Sequence, residues 1–196
     1  MANKRAKTFG EGELQFILAF AVQRSRVPES DRLKVLLSFK AGLRACEIAR
    51  IRVVDLLDAE GRPASEIFVA GGIAKGGKHR TVPMHPDIRA ALLAYRKRYP
   101  SAKWIAISSR RKRGRPTSMS ANAISQWFFH LYRDAGFVGA SSHSGRRTFA
   151  TTMSVLFAKK GIPMTSLQLM LGHARFDTTA AYIQPSDNLR ALVASI

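Results

Sequence analysis

Apolar positions recur along most of this chain at helical spacing, and the elements they predict follow one another with short connections. Thr8-Phe9-Gly10-Glu11 reads as a capping box that opens a helix through Leu14, Phe16, Ile17 and Phe20. Asp31 begins a second helix (Leu33, Val35, Leu36, Leu37, Phe39), and Gly42 breaks it before a third over Arg44–Ile51. The period then changes. Glu66–Ala70 and Arg80–Met84 read as strands, and the glycine-rich turn Gly71–Lys78 makes them a hairpin. Pro86–Tyr99 is an amphipathic helix, and Trp104–Ser108 a further strand ahead of a basic Gly/Pro loop. Ser118–Ala135, Gly145–Lys159 and Met164–Leu171 read as helices, and Asp177–Ile183 and Asp187–Ile196 close the chain. No internal repeat or long linker interrupts the pattern. It predicts one mainly α domain with a small antiparallel β-sheet, an α+β fold.

Composition narrows the class of partner. The 196 residues are 46% hydrophobic, enough for the core of a single domain. One cysteine, Cys46, excludes a disulfide framework and a cysteine-rich metal site and fits a reducing compartment. The N-terminus lacks an apolar signal region and no apolar run reaches 18 residues, so a cytoplasmic protein without a membrane span is expected. The net charge is +19, and residues 88–175 hold sixteen Lys or Arg against Asp134 alone. Arg110, Arg111, Lys112, Arg113 and Arg115 are its densest part. A single basic run is as readily a solvated face. Imbalance over so long a stretch favours a phosphate backbone. A membrane surface fits less well, because the basic cluster lacks an apolar helical face.

Candidate chemistry follows from spacing. Gly72-Ile73-Ala74-Lys75-Gly76-Gly77-Lys78-His79 resembles a nucleotide-binding P-loop, but His79 replaces the required hydroxyl and a strand follows where a helix is needed. A hairpin turn that projects Lys75 and Lys78 fits better. The histidines (79, 85, 130, 143 and 173) form no metal-ligand motif, and neither a metal nor a cofactor is expected. No G-x-S-x-G elbow occurs. Three other segments stand out. Arg44 and Glu47 are one helical turn apart, either an ordinary ion pair or a mutually oriented one. His143 and Arg146 sit at a helix start, where free amides favour an anion, although Ser142 or Ser144 also serves there as a plain cap. His173 and Tyr182 are nine apart, on opposite sides of any continuous helix. A break at Gly172 with a cap at Asp177 folds them together, while a core position for Tyr182 is the alternative.

Read in order, Gly42-Leu43-Arg44 with Glu47, a lysine in a β-hairpin turn, His143-x-x-Arg146 before Thr148-Phe149-Ala150-Thr151, and Leu171-Gly172-His173 followed by Tyr182 resemble the tyrosine recombinases, the phage integrase family. The resemblance covers most of the chain and implies that family's catalytic-domain fold. It also implies strand cleavage without metal or ATP. A phosphodiester under attack gathers charge on its nonbridging oxygens, and paired guanidiniums suit that species. By resemblance Arg44 and Arg146 clamp the phosphate, and Tyr182 attacks it to leave a 3′-phosphotyrosyl link that conserves the bond energy. Lys75 matches the general acid, with Lys78 the second choice. His143 assists proton removal or orients the phosphate, His173 donates to a nonbridging oxygen, and Glu47 supports the geometry. Lys78, Arg80, Arg110, Arg111, Lys112, Arg113, Arg115 and Arg147 are the expected DNA-backbone contacts.

Two departures qualify the resemblance. Only about forty residues precede Arg44, so the chain resembles recombinases made of a catalytic domain alone (fimbrial phase-switch inverters and small phage or plasmid integrases), without a separate N-terminal clamping domain. Gly145 and Arg147 also stand where the family often has Leu and His, as variant packing or an extra phosphate contact. Residues 186–196 form a tail helix with Leu189, Leu192, Val193 and Ile196 on one stripe, docking either on a neighbouring protomer or on its own core. The implied partners are double-stranded DNA, a homo-tetramer on two DNA sites (a monomer without DNA) and an accessory DNA-bending protein. Alternatives are a type IB topoisomerase-like relaxing activity and a non-catalytic DNA-binding regulator with the same fold.

Overall fold

The computed structural model describes residues 6–70, 79–112 and 115–182, with backbone alone for 109–112, 115 and 116. Its centre is a helix with almost no solvent face, α2 (Pro28–Lys40), in which Leu33, Val35, Leu36, Leu37 and Phe39 are all buried. A helix apolar on every side must be surrounded. Around it pack α1 (Glu11–Gln23), α4 (Pro86–Arg98) and α6 (Ser144–Lys160), with the short α3 (Ala45–Arg50) at its end. α5 (Ala121–Asp134) lies against α3, and α7 (Met164–Leu171) and α8 (Phe176–Ala180) follow α6. The buried Lys34 of α2 is tolerated because Asp31 pairs with it at 2.5 Å and the Trp127 ring lies 4.0 Å beneath its ammonium.

Two separate two-stranded antiparallel sheets accompany the helices. β1 (Glu66–Val69) pairs with β2 (Arg80–Pro83), so that Ile67 faces Val82 across the ladder and both sides of this pair are buried. β3 (Ile107–Lys112) pairs with β4 (Arg115–Ser118) through an irregular register. The basic segment expected as a loop therefore lies largely in paired strands, and of the strand expected over Trp104–Ser108 only Ile107 and Ser108 fall in β3, while Trp104 makes a single bridge to Arg52.

Element ends differ from the pattern reading in instructive ways. α1 is capped by Gly10, whose N–H donates to the Glu13 carboxylate at 2.8 Å, rather than by Thr8. The chain just before it is drawn inward, because Phe9 packs with Phe39, Tyr132 and Phe137 and its amide donates to Thr148 on α6. α2 starts at Pro28 in the first helical position, which places Asp31 inside the helix. Both the helix predicted at 187–196 and the glycine-rich turn 71–78 lie outside the described residues.

Candidate active site

The end of α2, the turn through Gly42 and the head of α3 set up the first half of the site. Arg44 is the residue that caps α3, and Glu47, three on, returns its carboxylate to the Arg44 N–H at 2.8 Å. The three-residue spacing thus places the Glu47 carboxylate as a one-way cap on the Arg44 N–H, with the Arg44 side chain making no cap of its own. Arg44 Nη1 also donates to Glu47 Oε1 at 3.1 Å. Arg80 from β2 completes the arrangement, donating from Nη1 and Nη2 to the two Glu47 oxygens at 2.7 and 2.8 Å. Arg80 was expected to hold DNA at the surface; its side chain is instead 4% exposed and committed to Glu47. The alternation in β2 turns it inward, where a bidentate fork satisfies an otherwise isolated carboxylate. Burial alone would raise the Glu47 carboxyl, but hydrogen bonds and charge from Arg80, with the Arg44 amide, outweigh it and hold the group below its ordinary range.

The second half comes from α6. His143 stands exposed at the cap position and makes no side-chain cap, and neither Ser142 nor Ser144 provides one; the Ser144 hydroxyl instead accepts from the Ser141 N–H at 3.0 Å. Arg146, one turn in, is buried and reaches three segments. Its Nη1 donates to the Gly42 carbonyl at 2.5 Å, and its Nη2 to the Leu171 carbonyl at 2.5 Å and to His173 Nε2 at 3.1 Å. Gly145 permits this placement. A Cβ there would overlap Ser38 Oγ and the Phe39 ring, so the first turn of α6 lies directly on α2. Arg147 is partly buried, and its Nε makes no hydrogen bond among the described residues.

Gly172 ends α7 in the left-handed conformation (φ 62°), which glycine adopts without strain, and the chain reverses there as the spacing required. α8 is entered through Arg175 rather than Asp177, which lies in its first turn and accepts from Arg175 at 2.7 Å. The reversal stacks the His173 and Tyr182 rings, 6.1 Å between centroids and 15° between planes. Two residues that spacing did not single out hold this pair. Buried Thr179 places its hydroxyl 2.8 Å from His173 Nδ1, and buried Ser154 of α6 donates to the Tyr182 carbonyl at 2.8 Å. Thr179 lies between the two predicted residues, three before Tyr182, yet a lone Thr carries no chemical signal; Ser154 is 28 residues away and nothing in the sequence links it to the site.

Three guanidiniums therefore face one carboxylate. Burial, followed by the Arg44 and Arg80 charges, pushes Arg146 down to about 9 despite Glu47. Burial and then Arg146, Arg44 and Arg80 push His173 down to about 4, so its ring is neutral at pH 7. Such an excess of half-buried positive charge is costly unless an anion enters it. The structure thus brings Arg44, Glu47, Arg146, His173 and Tyr182 together, with His143 at the rim of the same helix. Lys75 and Lys78 lie outside the described residues, as do Arg113 and the side chains of Arg110, Arg111, Lys112 and Arg115. Among the described residues no three His, Cys, Asp or Glu side chains group as metal ligands, and no helix is long and apolar enough to cross a membrane.

The chain belongs to the phage integrase family, whose sequence profile matches residues 7–188. It is 32% identical over 153 residues to the tyrosine recombinase XerA of Pyrococcus furiosus, a match covering 78% of this chain and 49% of that protein. The chain thus spans about half the length of the curated relatives it matches. Its fold superimposes on the Tn1549 transposon integrase in complex with a circular intermediate DNA (TM-score 0.73, 20% identity, all of this chain and 67% of that one). It also matches a crystal structure of XerA recombinase (TM-score 0.67, 24% identity, 96% of this chain and 65% of that one). These likenesses agree with the predicted fold, helix-rich with small antiparallel sheets.

Proposed function

We propose that this chain carries the catalytic unit of a site-specific recombinase that cleaves and rejoins double-stranded DNA through Tyr182. The observation that carries the reading is the uncompensated cluster of Arg44, Arg80 and Arg146 around Glu47, with the Tyr182 ring stacked on the histidine that touches Arg146. A phosphodiester fits the vacancy in charge. Arg44 and Arg146 clamp its nonbridging oxygens, and His173 adds a neutral hydrogen bond. The Tyr182 oxygen bonds to phosphorus as the bond to the 5′ oxygen breaks. That oxygen takes up a proton, for which the family resemblance nominates Lys75, and the phenol proton leaves with help from His143. Arg80 and Glu47 do not touch DNA in this scheme; they hold Arg44. The remaining cations, among them Arg110, Arg111 and Lys112 on β3, Arg115 on β4, Arg113 and Arg147, grip the backbone. Work on two DNA sites calls for a homo-tetramer, with an accessory DNA-bending protein at some sites, in the cytoplasm where the DNA lies.

A nicked duplex that traps the covalent step tests this. The wild-type chain should give an SDS-resistant protein–DNA adduct, and Tyr182→Phe none; equal adduct from that variant refutes the assignment. Arg146→Ala should bind duplex DNA within a few fold of wild type yet barely cleave it, because affinity is spread over many cations.

A further inference from the structure

His173 meets the rest of the site through both ring nitrogens, and the two contacts together determine where its proton sits. Arg146 Nη2 carries only N–H donors, so His173 Nε2, 3.1 Å away, is its acceptor. The neutral ring then holds its hydrogen on Nδ1 and donates it to the Thr179 hydroxyl oxygen at 2.8 Å. That arrangement is the reverse of what a phosphate needs. Once a phosphodiester takes over the Arg146 donors, the nitrogen beside it must present N–H to an anionic oxygen.

We propose that Thr179 is a positioning residue that lets His173 exchange tautomers between the free and DNA-bound states; the idea rests on the phosphoryl-transfer reading above. Its hydroxyl contacts Nδ1 and can both accept and donate. In the free protein it accepts from Nδ1–H. With a phosphate bound it rotates and donates to the bare Nδ1, so that Nε2–H points at the nonbridging oxygen. The exchange forms one N–H bond at Nε2 with a proton taken from solvent and breaks one at Nδ1 with a proton returned, leaving the ring neutral throughout. Neutrality matters because the groups facing this ring are cationic from three directions, Arg146 on α6, Arg44 at the head of α3 and Arg80 on β2, with Tyr182 across its face and Glu47 engaged by Arg44 and Arg80. Protonation is the other way to place N–H at Nε2, and those charges oppose it, as the depression of His173 to about 4 reflects. Thr179 is buried, so no water substitutes readily for its hydroxyl.

Two measurements test this. Long-range nitrogen–proton NMR of His173 should report the Nδ1–H tautomer in the free protein and the Nε2–H tautomer in Tyr182→Phe bound to duplex substrate. Single-turnover adduct formation by Thr179→Val, which keeps the shape without the hydroxyl, should fall roughly tenfold to a hundredfold at pH 8, less than the roughly hundredfold to thousandfold of deleting a donor to a developing anion outright, because the imidazole itself stays. The defect should hold from pH 8 down to pH 6, because a ring depressed to about 4 stays neutral over that range and protonation cannot stand in for the tautomer. Thr179→Ser should restore the rate across that range. The proposal is overturned by an Nε2–H ring in the free protein, by an unchanged tautomer on DNA, or by a Thr179→Val profile that matches an active wild type. If the wild type forms no adduct, the functional reading fails, and the two NMR states still decide the tautomer exchange.

Discussion

Replacing Glu47 by Gln keeps the side-chain shape and removes the one carboxylate that, among the described residues, lies between the three guanidiniums. Glu47 accepts four hydrogen bonds, from the Arg44 amide, Arg44 Nη1 and both terminal nitrogens of Arg80. A glutamine amide accepts through one oxygen and turns its NH2 toward donors, so at least half of these contacts become donor against donor. Arg80, 4% exposed, is then left as an unpaired buried charge. Breaking a buried pair on one side costs about 3–5 kcal/mol. For a domain of this size that corresponds to a fall of roughly 6–20 °C in Tm. Urea and thermal unfolding of Glu47→Gln measure it directly. A companion variant, Glu47→Gln with Arg80→Met, removes the orphaned charge as well and should recover at least about 1 kcal/mol relative to Glu47→Gln alone. Sulfate should stabilise Glu47→Gln more than wild type, because it meets a site with one further net positive charge. A loss below about 1 kcal/mol, or a double variant no better than the single, would refute the view that Glu47 and Arg80 form one charge-balanced unit.

Other consequences are open to test. Gly145→Ala should destabilise by about 1–3 kcal/mol, since the added methyl meets Ser38 and Phe39, and should slow cleavage beyond that by shifting Arg146. Ser154→Ala leaves the Tyr182 carbonyl without its side-chain donor; adduct formation should slow by about tenfold while DNA affinity, read by a binding titration, stays level. Acid should weaken the DNA-free protein through His173. Its folded value near 4 lies below the ordinary 6.5, so between those limits the unfolded chain binds more protons, and stability present above about 6.5 is lost as pH falls toward 4. Urea melts at pH 7 and pH 5 should show that loss in wild type and less of it in His173→Gln.

Much of this site was legible because its chemistry is encoded in short spacings. Arg44 with Glu47 and His143 with Arg146 each span one turn, and Gly172 marks the reversal that joins His173 to Tyr182. Local rules read such features well, since turns and caps depend on neighbouring residues. Arg80 was misread for the opposite reason. Its charge looked like part of a basic surface, and only its contact with Glu47, 33 positions earlier, shows that it is internal. The basic Gly/Pro stretch was likewise read as a loop on its composition, whereas it lies largely in paired strands.

By itself, the order of residues determined the helix-rich class, the positive field and the identity of the groups that converge, because periodicity, charge and motif spacing are properties of the chain. Only the tertiary structure decided which cation faces inward, how Gly145 lets α6 rest on α2, and that Thr179 and Ser154 hold the His173–Tyr182 pair. Those outcomes depend on packing between segments far apart in the sequence. There a single Cβ or hydroxyl matters through what it touches, and the chain's local pattern carries no record of that contact.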